Sequence, residues 1–139
     1  MPTKEKSPHL LTAWTLIIYG VGWLIYSGFL LILSFFIGFF IYAFPFFAFF
    51  FSIIFLGVYL IFKAAKLLIA NNPIGLKSGV MGTIIILIFG LYLLLAEYAN
   101  DYGKEKVIKI GIMALGFIIY NIAIFWNLNR SKNIFKNQK

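Results

Sequence analysis

The sequence predicts an all-α integral membrane protein with four transmembrane helices and both termini on the matrix or cytoplasmic side. Three observations carry that prediction. The chain is 63% hydrophobic over 139 residues, with a mean hydropathy of +0.98. A soluble domain averages about 45–50% apolar residues, and a chain this short cannot hide the excess in a core of its own. Leu10 to Phe62 contains no charged residue, and one helical crossing needs about 20 residues, so that run holds two crossings. The basic residues stand at the ends of apolar runs, where they meet headgroups. The runs are continuous rather than alternating over about ten residues, which argues against a β-barrel.

A single membrane domain over residues 1–139 follows, with helices at about 10–33, 44–70, 74–98 and 107–128 and a basic tail at 129–139. Met1 to Ser7 is polar and lacks an arginine-rich amphipathic presequence. In the first helix, Trp14 suits the membrane interface. Gly20, Ser27, Ser34 and Gly38 fall near one face at about 100° per residue, and small residues on one face let another helix approach. Ser34 to Pro45 has no charged residue and no polar cluster to mark a loop, and Pro45 either ends a turn or kinks the second helix.

The second helix leaves the bilayer over Tyr59 to Lys77. Lys63 and Lys66, about one turn apart, reach headgroups while their stems stay in lipid. Asn71-Asn72-Pro73 then breaks the helix, because proline lacks the N–H donor and drives Asn72 out of the α region. In the third helix Gly75, Gly79, Gly82 and Gly90 project within one sector, a surface for close helix packing. Glu97 falls on the same sector at the far end, where an acid is a candidate proton or ion site, while its neighbours Asn100 and Asp101 favour an interfacial reading. In the fourth helix Asn121 is placed on a face with Gly111 and Ala114 and reads as an interhelical hydrogen-bond partner. The tail from Asn129 to Lys139 is expected to be frayed or bound to headgroups.

Charge sets the orientation. With four crossings, Lys4, Lys6, Lys63, Lys66, Lys77, Arg130, Lys132, Lys136 and Lys139 share a side with only Glu5. Lys104, Lys106 and Lys109 on the other side are matched by Glu97, Asp101 and Glu105. The positive-inside rule assigns both termini to the cytoplasm or the mitochondrial matrix. The same placement reads the net charge of +8 as orientation charge, not as a nucleic-acid surface.

Little catalytic chemistry is visible. There is no cysteine and one histidine, His9. Paired-histidine haem ligation needs two histidines, and a zinc site needs several ligands together, so no metal site is expected. No Walker loop, dinucleotide glycine fingerprint or nucleophile–base pair can be assembled. The chain by itself does not read as an enzyme.

Two stretches resemble the cytochrome b membrane-anchor subunit of succinate dehydrogenase, respiratory complex II. Ser7-Pro8-His9-Leu10 stands where that family has Ser-Pro-His-Leu before its first membrane helix. Trp14-Thr15-Leu16 fits the Trp-Ser-Leu-like step, and Ser27-Gly28 fits the end of the His-Arg-x-Thr-Gly motif. Tyr59, Lys66, Leu68, Gly75, Leu76 and Lys77 fit the second pattern without a gap. The departures fall on functional positions. Leu24 and Ile25 replace the histidine and arginine of the first motif, and Val21 replaces the serine that faces the quinone. Leu60 replaces the haem-ligating histidine, Lys66-Leu67 the Arg-His pair and Asn71 the aspartate. The likeness covers two helices and one loop, and the fourth helix is extra.

The resemblance implies a membrane anchor of a succinate:quinone oxidoreductase. Its partners would be the iron–sulfur and flavoprotein subunits, a second membrane anchor, and lipid. Ser7, His9, Lys63, Lys66 and Lys77 would contact partner or headgroups. Trp14 and Ser27 would line a quinone pocket shared with partner subunits, and this chain alone would bind no cofactor and no haem. The membrane would be the mitochondrial inner membrane or a prokaryotic plasma membrane. The alternatives are a small four-helix transporter or channel, or an accessory subunit of another respiratory complex.

Overall fold

The computed structural model describes residues 8–36, 39–100 and 104–137, with side chains at 9–33, 48–96 and 107–136. Ser7, and the side chains of Ser34, Gly38 and Glu97, lie outside the described residues. The elements are α1 (Pro8–Phe36), α2 (Phe39–Ile69), α3 (Ile74–Asn100) and α4 (Lys104–Asn137). All four are long and apolar enough to cross a bilayer, and the chain is an all-α integral membrane protein. Helices are forced here because every backbone N–H and C=O in hydrocarbon must be satisfied within its own segment.

The helices run up, down, up, down, and each packs on two others: α1 on α2 and α4, α3 on α2 and α4. Leu16, Ile54, Ile61, Leu68, Ile86 and Ile124 are fully enclosed between them. Large apolar residues such as Leu11, Ile18, Phe29, Phe49, Ile88 and Ile112 face outward, as lipid-facing positions should.

The tightest contact is between α2 and α3. A Cβ added to Gly82 would lie 2.8 Å from the Gly57 carbonyl oxygen, and one added to Gly75 would lie 2.8 Å from the Ala64 carbonyl oxygen. Backbone meets backbone there, and dispersion across the close seam supplies the attraction that lipid cannot. At Gly79 the neighbours are side chains, Leu128 of α4 at 3.0 Å and Ala64 at 3.4 Å. At Gly90 they are Phe117 of α4 and Trp23 of α1. The glycine sector of α3 therefore faces three helices in turn.

The α2–α3 turn is fully capped. Asn71 adopts φ 56°, its N–H donates to Leu68 O (3.0 Å), and the Asn72 N–H donates to Leu67 O (2.8 Å). This is a Schellman end with asparagine at the left-handed position. Asn72 Oδ1 then accepts from the Ile74 N–H at 3.0 Å, with Pro73 in the first-turn position where a missing N–H costs nothing.

Several boundaries differ from the sequence expectation, α4 for instance beginning at Lys104 rather than Val107. Pro45 lies inside α2, whose helical residues begin at Phe39. α1 extends to Phe36 rather than Leu33. Most consequentially, α4 continues to Asn137, so residues 129–137 are helix and not a frayed basic tail. The reason is packing: the buried stripe of α4 runs on past Leu128 to Ser131, with Phe135 beyond it.

Candidate functional site

Two features carry the polar chemistry of the bundle: a basic end and an aromatic cleft near mid-membrane. The basic end is assembled by the start of α1, the α2–α3 turn and the last turns of α4. Thr12 Oγ1 donates to Asn127 O at 3.2 Å and lies 2.8 Å from Ser131 Oγ. The His9 ring stacks on Phe135 at 5.3 Å with 24° between planes. His9 is only 6% exposed, and its Nδ1 has no hydrogen-bond partner among the described residues. These contacts tie α4 over α1.

Lys63 and Lys66 of α2, Lys77 of α3, and Arg130, Lys132 and Lys136 of α4 are exposed at this same end. All four carboxylates of the chain lie outside the described side chains. Together these six cations present a positive face.

The aromatic cleft has a volume of about 410 Å³ and opens toward lipid between α1, α3 and α4. Trp23 is its centre, edge-on to Tyr19, Tyr26, Phe89 and Phe117. Behind it the Tyr19 hydroxyl donates to Asn121 Oδ1 at 2.8 Å. Asn121 Nδ2 donates to Phe117 O, also at 2.8 Å. Both side chains are buried. Tyr19 is ten residues past His9, about 15 Å along the helix axis, which is close to the centre of a hydrocarbon core about 30 Å thick. Gly22 lines the cleft with open space where a Cβ would stand.

The residues singled out from sequence distribute unevenly over these features. Lys63, Lys66 and Lys77 come together at the basic end. His9 belongs to that end but lies beneath Phe135, covered by the unexpected last turns of α4, so it offers no open contact surface. Trp14 is 59% exposed on the outer face, whereas Ser27 is fully buried with its Oγ bonded to Leu24 O. They are 13 residues apart on one helix, about 20 Å, and neither lines the cleft around Trp23. A pocket wall built from both does not form, because they point to opposite environments. Asn121 does bond another helix, but Gly111 is off its face, and Ile110 takes that position in the buried stripe.

Sequence reasoning sees Tyr19 and Trp23 only as aromatic bulk of the first helix, and it missed Ser131 and Phe135. The spacing Ile124, Leu128, Ser131, Phe135 continues one helical face and would have revealed the extension of α4. Nothing in one chain's sequence pairs Tyr19 with Asn121. Among the described residues no cluster of three or more His, Asp or Glu side chains gathers to hold a metal. No protein-family model, curated protein or solved structure matches the chain.

Proposed function

We propose that the chain is a non-catalytic membrane anchor whose basic end docks a peripheral partner, and that the assembly is a succinate:quinone oxidoreductase. One observation supports the docking most: six exposed cations from three helices share one end. Such a face attracts and orients an acidic partner. The choice of partner rests on the resemblance. The described parts of its two matched stretches, Pro8 to Leu10 and Tyr59 to Lys77, adjoin that same end, where the anchor family docks its iron–sulfur subunit. In this reading the basic end faces the cytoplasm or the matrix, following the positive-inside rule, in a prokaryotic plasma membrane or the mitochondrial inner membrane.

The anchor would supply position rather than chemistry. Flavin and iron–sulfur centres belong to the partner chains. Leu60 stands where the family has its haem-ligating histidine, so this chain offers haem iron no ligand there. Flat rings around Trp23 make the cleft the surface best suited to a quinone ring. The Tyr19 hydroxyl behind them already donates to Asn121, so polar groups of this chain at the cleft are those of Trp23, Tyr26 and Tyr120.

A transporter is the second reading. It is favoured by the hydrogen-bonded Tyr19–Asn121 pair buried at mid-bilayer behind an open cleft, since intramembrane polar groups mark pathways. Affinity purification through a tag after Lys139 from gently solubilised membranes separates the two. Stoichiometric flavoprotein and iron–sulfur subunits support the anchor. A homo-oligomer free of both supports the transporter.

A further inference from the structure

A second cleft, of about 770 Å³, opens between α3 and α4 at the basic end. Lys77, Asn129 and Lys132 supply its polar groups, while Val80, Ile122 and Trp126 are among its apolar walls. The polarity is graded along the helices. From Lys132 to Ile122 is ten residues of α4, about 15 Å along the axis, so the walls descend from headgroup level roughly half-way into the hydrocarbon. Lys77 is in the first turn of α3, at the same end.

We propose that this cleft holds one anionic phospholipid, with its phosphate between Lys77 and Lys132 and an acyl chain along Val80, Ile122 and Trp126. The complementarity is twofold. Two lysines and the Asn129 amide supply donors for a phosphate at the rim. The apolar depth excludes a small hydrated anion but receives a hydrocarbon chain. Zwitterionic lipid would fit the walls yet bring no net charge to the lysines. A lysine near an anionic headgroup contributes about a fivefold preference. The site does not depend on which peripheral partner the protein has, since the docking face retains Lys63 and Lys66 on α2.

Trp126 provides the probe, because it is one of three tryptophans and lines the cleft. A Trp14→Phe/Trp23→Phe chain reconstituted in phosphatidylcholine vesicles would be doped with bromine-labelled phosphatidylglycerol or, at equal mole fraction, bromine-labelled phosphatidylcholine. The phosphatidylglycerol should quench Trp126 several-fold more effectively. Lys77→Gln/Lys132→Gln should abolish that preference, and Lys63→Gln/Lys66→Gln should leave it intact. Native mass spectrometry of the unaltered chain with equimolar unlabelled lipids gives the same comparison without tryptophan changes, and retained phosphatidylglycerol is expected. Equal quenching and equal retention of the two lipids would overturn the site. Equal loss of preference in both lysine variants would reduce it to general surface charge. Displacement by soluble glycerol phosphate would overturn the lipid assignment.

Discussion

The Tyr19 hydroxyl donates to Asn121 Oδ1 across 2.8 Å, joining the first helix to the last near the middle of the membrane. Neither group has water to fall back on at that depth. Hydrogen bonds between membrane helices contribute about 0.6 kcal/mol on average and up to about 1.7. A double-mutant cycle of Tyr19→Phe and Asn121→Ala, read by unfolding in mixed micelles, should return a coupling of about 0.5–1.5 kcal/mol. Additive single effects would mean that the two side chains do not meet.

The seam between α2 and α3 sets a sharper contrast. Gly82→Ala drives its methyl against the Gly57 carbonyl, 2.8 Å from the Cβ position, and backbone cannot step aside as a side chain can. A loss of about 1–3 kcal/mol is expected, and Gly82→Leu should exceed Leu87→Ala. Gly111→Ala meets nothing within 4 Å and should be neutral or stabilising by up to about 1 kcal/mol. Thermal stability in detergent checks the order, and equal losses at Gly82 and Gly111 would contradict the seam.

The cover over His9 makes a prediction of its own. His9 is the only histidine, and the Phe135 ring stacks on it. Diethylpyrocarbonate should modify it slowly in the intact protein. Phe135→Ala should make the reaction fast without loss of helical circular dichroism, and truncation after Leu128 should do so while removing only the helical signal of residues 129–137. Rapid modification of the unaltered chain would mean that α4 does not close over α1.

What the sequence discloses, and what it withholds, follows from how each feature is encoded. Continuous apolar runs and Asn71-Asn72-Pro73 are local signals, so the four helices and the α2–α3 turn are legible. The end of α4 is easily misplaced, because the polarity of Asn129 to Lys139 reports where the chain leaves lipid, and only the spacing Ile124, Leu128, Ser131, Phe135 reports that the helix goes on. Ser131 and Phe135 keep the helix going by packing on Thr12 and His9, more than a hundred residues away. Trp14 and Ser27 are separated by facing, lipid for one and the core for the other, and composition does not report facing. The cleft around Trp23 draws on three helices, so no single stretch announces it.

Orientation can be read directly, since the chain has no native cysteine. Asn72→Cys and Asn137→Cys should react with a membrane-impermeant maleimide from one side, the cytoplasmic or matrix side, and Gly103→Cys from the other. Labelling of Gly103→Cys and Asn72→Cys from the same side would contradict the four-crossing topology.

As an anchor of a succinate:quinone oxidoreductase, the role proposed above, this chain is probed by the succinate–quinone reductase activity of membranes from cells that lack it. Loss of activity on deletion is expected, with the flavoprotein shifting to the soluble fraction. The intact chain should restore both, and Lys63→Glu/Lys66→Glu should restore them poorly because the docking charge is reversed. Unchanged succinate oxidation and a membrane-bound flavoprotein in the absence of this chain would contradict the account.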